Sequence, residues 1–210
     1  MTIEVHVNRE QILVALVALG SSLGATFAQE SPAPFDDPAV ASSAERMIPL
    51  VERLTGRRFP SPPELEAIGE ERMAEILELE RKRYPPPGEE PETGSGTGGW
   101  DHRAEARLTL AQYSFARRKI FVGSRALERA YRTIAEPGRE APFLDLIVGH
   151  ELVHALDDAS FDLGPTLGRI RERDARLAFA ALVEGHARAI ELRIASRGES
   201  TDLFEAREDL

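Results

Sequence analysis

The chain has 210 residues, no cysteine, and 36 acidic against 26 basic side chains, giving a formal net charge of −10. That length, with 42 % hydrophobic residues, suits one catalytic-sized domain with a single core and a leader. The acidity argues against nucleic-acid and anionic-membrane partners, and the missing cysteines exclude thiolate zinc sites, a cysteine nucleophile and disulfides.

Residues 1–28 read as a leader. An apolar stretch over 11–28 ends in Thr26-Phe27-Ala28 before Gln29, a small-residue cleavage pattern, although Arg9 is offset by Glu4 and Glu10. Three readings stand: a cleaved signal peptide, an uncleaved membrane anchor, or a helix of the folded domain. The first two place the protein outside the cytoplasm, secreted or periplasmic, and the anchor adds an N-terminal membrane contact. A spacer over 29–38 precedes the domain proper, 39–210.

The domain opens with a helix over 39–55, its apolar stripe formed by Val40, Met47, Leu50, Val51 and Leu54, and Gly56 ends it. Residues 59–68 are proline-rich and extended. A charged helix over 70–84 buries Met73, Ile76, Leu77 and Tyr84, while the run 78–83 forms a solvated face with i,i+4 pairs. Residues 85–99 are so rich in proline, glycine and charge that they read as a flexible loop, a linker or the border of a cleft. Strand alternation follows over 107–115, with Leu108, Leu110, Gln112 and Ser114 on one side. Arg117-Arg118 turns the chain into a second strand over 119–123, making an antiparallel hairpin before a helix over 124–134.

Residues 150–154 read His-Glu-Leu-Val-His. On a helix His150 and His154 stand one turn apart on one face, so both imidazoles can grip one metal ion. Glu151 is turned about 100° from His150, beside the ion, where it serves as general base. Leu146, Ile147, Val153 and Leu156 give this helix an apolar face. A zinc site of this kind needs a third protein ligand and leaves a fourth position to water. Glu184 is the best candidate, because it lies in the apolar run 177–187, where an unpaired carboxylate is costly. Leu177, Ala178, Ala181 and Leu182 form the stripe expected to pack on the motif helix, and Gly185 suggests a close helix crossing. His186 is the competing ligand, but it points about 200° from Glu184. Asp157, Asp158 and Asp174 are weaker ligand candidates. Asp158 (or Asp157) and Asp174 suit a supporting place, hydrogen-bonded to the ligands.

The sequence His-Glu-Leu-Val-His-Ala-Leu-Asp-Asp, then Asp174 and Ala-Leu-Val-Glu-Gly-His-Ala over 181–187, resembles a group of uncharacterised bacterial zincin-like metallopeptidases of the gluzincin type. In that group the second helix reads Leu-Val-Glu-Gly-Asp-Ala, and its glutamate is the inferred third ligand. The resemblance spans roughly residues 45–195, and only the two helices are specific. His186 stands where that group has aspartate. Arg188 stands where thermolysin-like gluzincins carry aspartate.

Together these readings describe an α+β, zincin-like fold: a small antiparallel sheet or hairpin beside a mainly helical domain carrying the motif. The expected activity is zinc-dependent hydrolysis of a peptide or protein substrate. Zn2+ is held by His150, His154 and Glu184, with Glu151 as base and acid. In zincins an edge strand before the motif helix binds extended peptide, which gives Gln112 and Tyr113 a substrate-binding place; a purely structural hairpin is the plain alternative. His186 is the first choice for the developing oxyanion, with Tyr113, Arg188 and His102 beside it. One rival is a zinc-binding interaction or regulatory module without catalysis. A di-iron carboxylate site is another, but it needs a second Glu-x-x-His pair, which the chain lacks. Nothing in the sequence sets an oligomeric state.

Overall fold

The computed structural model describes residues 35–85, 101–135 and 137–199, so the expectations for the leader and for all but Pro85 of the loop 85–99 lie outside the described residues. Asp36 begins the first helix, α1 (Asp37–Thr55): its carboxylate accepts the Ala39 N–H at 3.0 Å, and Pro38 occupies the first turn. Gly56, at φ 70°, ends it in the left-handed region, as expected of that glycine. Strand β1 (Glu64–Ile68) and helix α2 (Glu70–Arg83) follow, then a short helix α3 (His102–Ala106). Strands β2 (Ala111–Ser114) and β3 (Lys119–Gly123) form the hairpin, which leads into helix α4 (Ser124–Ile134). The motif helix α5 (Glu140–Phe161), a short α6 (Leu163–Arg169) and the long α7 (Arg173–Glu199) complete the described chain.

The fold is α+β and mostly helical, with a three-stranded sheet in the order β1-β3-β2. The expected antiparallel hairpin is present between β2 and β3, but the sheet is mixed, because β1 lies parallel to β3 with Glu64 opposite Lys119. Lys119 Nζ meets Glu66 at 2.9 Å and Glu64 at 3.3 Å, an ionic tie across that parallel pair. The expected strand over 107–115 is shorter. Asp101 accepts the N–H groups of Arg103 and Ala104 and starts α3 instead, and Leu108 is left 66 % exposed on the turn that follows.

The sheet separates two apolar layers. Phe121 packs with Met73, Ile76, Leu77 and Ala106, so α2 and α3 cover one face. Tyr113, Ile120 and Val122 project from the other into the main core with Val148, Leu152 and Leu156 of α5. Helix α5 is the centre of the molecule, with α1 on one side and α7 on another. Asp145 ties it to α1, accepting from Ser43 Oγ at 2.7 Å and from Arg46 at 2.8 and 3.0 Å. Phe35, assigned to the spacer by sequence, is fully buried against Tyr131 and Phe143, so the core begins before α1.

The contact between α5 and α7 corrects two expectations. Leu177 and Leu182 are 45 % and 70 % exposed, and Ala178 and Ala181 are exposed too; the packing residues are Ala187, Ile190 and Ile194. The close crossing is at Gly149 rather than Gly185. A Cβ on Gly149 would lie 2.7 Å from Ile194 Cδ1, while one on Gly185 would meet nothing within 4 Å. The physical reason is one of reach: the α7 residues buried in the core with α5 are Ala187, Ile190 and Ile194, all in its second half.

Candidate metal centre

His150 and His154 leave α5 one turn apart, and their rings meet edge to face with centroids 4.8 Å apart. The two Nε2 atoms are separated by 3.1 Å. From α7, Glu184 brings Oε2 to 3.5 Å from His150 Nε2 and 3.7 Å from His154 Nε2. These three atoms form a triangle whose equidistant point lies about 2.0 Å from each, the length of a zinc–nitrogen or zinc–oxygen bond. Two imidazoles and a carboxylate are also the donor types zinc takes. Among the described residues this is the one group of three or more histidine or acidic side chains that converges in this way.

Glu184 thus lies where sequence placed it, but for a different reason. Its side chain is 38 % exposed at the rim of the site, so the two imidazoles hold it there rather than enclosure by the alanines around it. Burial acts to raise its pKa, yet His150 and His154 together hold the carboxyl well below the ordinary range. Burial disfavours charge on His150, but Glu184 and Glu191 outweigh that and push the imidazole up to about 10.

Glu191 was not foreseen. It follows Glu184 by seven residues, two helical turns, and so leaves the same flank of α7. Its Oε2 lies 2.9 Å from His150 Nδ1, and its Oε1 accepts from Arg188 Nη1 at 2.5 Å. The only signal in the sequence is that seven-residue spacing, which is legible once Glu184 is placed opposite the imidazoles.

Glu151 is buried on the sheet side of α5, and its Oε2 accepts the backbone N–H of Tyr113 at 2.6 Å. That bond joins the motif to β2, the edge strand nearest the helix. Tyr113 and Ala111 point their backbone groups away from β3, since Gly123 N–H bonds Leu110 and pairing alternates by two. The Tyr113 carbonyl is taken by Gln112 Nε2 at 2.7 Å. Gln112 and Tyr113, the expected substrate contacts, therefore spend these groups within the protein. Ala111 is the strand residue whose outward backbone groups adjoin them.

The expected supporting aspartates have other partners. Asp158 accepts from Tyr113 Oη at 2.9 Å and Gly164 N at 3.0 Å, fastening β2 and α6 to α5 rather than orienting an imidazole. Asp157 pairs with Arg57, beyond the end of α1, and with His186 Nδ1 at 2.7 Å. Asp174 is exposed at the start of α7, away from the trio. His154 Nδ1 is buried with no hydrogen-bond partner among the described residues.

His186, the first choice for an oxyanion, is likewise elsewhere. It leaves α7 on the flank opposite Glu184 and meets Asp157, because two helical residues turn the chain about 200°. His102 is on α3, which packs with α2 on the far face of the sheet. The Tyr113 hydroxyl is committed to Asp158, with burial and that carboxylate both raising its pKa. Of the four candidates, Arg188 alone shares the flank of Glu184. In comparisons with known proteins, no family model, no curated protein and no solved structure matches this chain.

Proposed function

We propose that the protein is a zinc-dependent peptidase of the zincin-like, gluzincin type, acting on peptide or protein substrates. The observation that carries this reading is the convergence of His150 Nε2, His154 Nε2 and Glu184 Oε2 around one point, with Glu151 adjacent on α5. Zinc held by His150, His154 and Glu184 would supply Lewis acidity to a scissile carbonyl and a water of pKa lowered towards ~7.

The protein's own groups do the rest. Glu151 takes the proton of the attacking water at its carboxylate and delivers it to the leaving amine nitrogen, so that the C–N bond breaks without expelling an amide anion. The Tyr113 N–H holds one oxygen of that carboxylate and fixes its direction. An extended substrate added outside β2 finds the backbone groups of Ala111. Arg188, on the flank of Glu184, binds Glu191 through Nη1, and its other guanidinium N–H groups are the donors left for the developing oxyanion.

A second reading, a zinc-holding module without catalysis, draws on the same Glu151–Tyr113 bond, which gives the glutamate a structural task. One experiment separates them. Purified full chain is assayed for metal content, and wild type and Glu151→Gln are compared on an unfolded protein substrate. The peptidase reading expects about one zinc per chain in both and cleavage by wild type alone, slowed at least ~100-fold in the variant. Zinc in both with no cleavage by either establishes the binding module instead. The site lies within the described domain. No described helix is long and apolar enough to cross a membrane, and an extracytoplasmic location rests on the leader residues alone.

A further inference from the structure

We infer that Glu191 is the positioning residue of this site, the carboxylate that fixes the ring of His150 and presents its Nε2 to the cation. The inference rests on the zinc reading above and assigns a residue that the motif itself does not contain.

Three observations carry it. Glu191 Oε2 lies 2.9 Å from His150 Nδ1, so the carboxylate accepts the Nδ1–H and leaves Nε2 as the ligating nitrogen. Arg188 Nη1 binds the other oxygen at 2.5 Å, which stops the carboxylate from turning away. His154 Nδ1, by contrast, has no partner among the described residues and owes its direction to packing. Among the described residues, Glu191 is thus the one hydrogen-bond partner, on either of these imidazoles, of a nitrogen that faces away from the trio. The helix makes this economical, since Glu184, Arg188 and Glu191 occupy successive turns of one flank of α7. One rigid element delivers a ligand, a positioning carboxylate and the cation that steadies it.

The test is zinc affinity of the full chain, by competition with a chromogenic chelator, in wild type, Glu191→Ala and Glu191→Gln. The visible absorption of the cobalt-substituted proteins is recorded alongside. Loss of a carboxylate behind a ligating histidine costs ~10–100-fold in metal affinity, the effect expected for Glu191→Ala, with a changed cobalt spectrum. Glu191→Gln keeps an acceptor oxygen but not its charge, and should lose less than the alanine variant, about tenfold, with a measurable change in the cobalt spectrum. A merely structural role would lower thermal stability without altering the cobalt spectrum of the folded protein. If both variants bind zinc as tightly as wild type with the same spectrum, the inference is overturned while the zinc site stands. Should Glu191→Ala not fold, Glu191→Gln decides: affinity and spectrum identical to wild type overturn the role. Wild type that takes up no zinc removes the site itself, and this inference with it.

Discussion

His150 Nε2 and His154 Nε2 face each other across 3.1 Å, with Glu184 Oε2 completing a near-equilateral triangle. Two imidazole nitrogens and a carboxylate brought this close satisfy one another only in part, and a divalent cation satisfies all three at once. Removing one corner leaves two ligands, too few for a closed zinc site. Glu184→Ala is therefore expected to lower zinc affinity by at least ~100-fold, with the fold kept, because its side chain is on the rim. Metal content after dialysis against a weak chelator checks this. A Glu184→Ala protein that retains one zinc would sink the assignment of the third ligand.

Gly149 and Gly185 make opposite predictions although both lie within helices. A methyl group at 149 would come within 2.7 Å of Ile194 Cδ1, the far end of a side chain that can partly give way. Gly149→Ala is expected to cost about 1–3 kcal/mol by overpacking, most of it recovered in a Gly149→Ala/Ile194→Val double variant. Gly185 is exposed, with open space around its missing Cβ. There alanine gains helix propensity, and Gly185→Ala should stabilise by roughly 0.5–1 kcal/mol. Urea unfolding of the three variants tests both signs, and a Gly185→Ala protein less stable than wild type would mean that α7 is closely packed there after all.

How legible the molecule was depends on how local the determining contact is. Spacing within one helix placed His150 and His154 on one face, and Gly56 marked the end of α1, because those signals act within a turn or two, whereas the Asp36 cap at its start lay inside the expected spacer. The parallel pairing of β1 with β3 joins residues some 55 apart and left no local mark. Helical periodicity showed that α7 has an apolar stripe but not which part of it meets a partner. Leu177 and Leu182 thus drew attention that belonged to Ala187, Ile190 and Ile194. Gly185 likewise drew the attention due to Gly149, whose role appears only when Ile194 lies across it. His186 is the converse case: its angle from Glu184 already separated the two, and the structure turns it to Asp157.

Tyr113 links the edge strand to the motif helix through its hydroxyl, which donates to the buried Asp158 at 2.9 Å. Tyr113→Phe leaves that carboxylate with Gly164 N–H at 3.0 Å and the more distant Arg118. A lost hydrogen bond to a buried charged acceptor costs about 1–3 kcal/mol, so the variant should be less stable by that amount. Its zinc affinity should match wild type, since the phenol makes no contact with the trio. A fall in zinc affinity with no change in stability would reverse this assignment and return Tyr113 to the chemistry.

Glu80 supplies a pH dependence separate from the metal. It reaches from α2 to the hairpin, accepting from Ser114 Oγ at 2.5 Å and Ala116 N at 3.1 Å. Burial raises its pKa, and the hydrogen bonds from Ser114 and Ala116 offset this only in part. A carboxyl whose folded pKa lies above its unfolded value favours folding in full below that unfolded value, near 4.5, and the contribution is lost as pH rises through the folded value. Wild type is thus less stable at neutral pH than it would be with this position uncharged. Glu80→Gln keeps the acceptor oxygen and sheds that cost. The variant should be more stable than wild type at pH 7.5, and the advantage should shrink towards zero at pH 4. Urea unfolding of both proteins at the two pH values measures it. An advantage independent of pH would trace to packing, and a less stable variant at pH 7.5 would show that the ionised form is the one the hairpin holds.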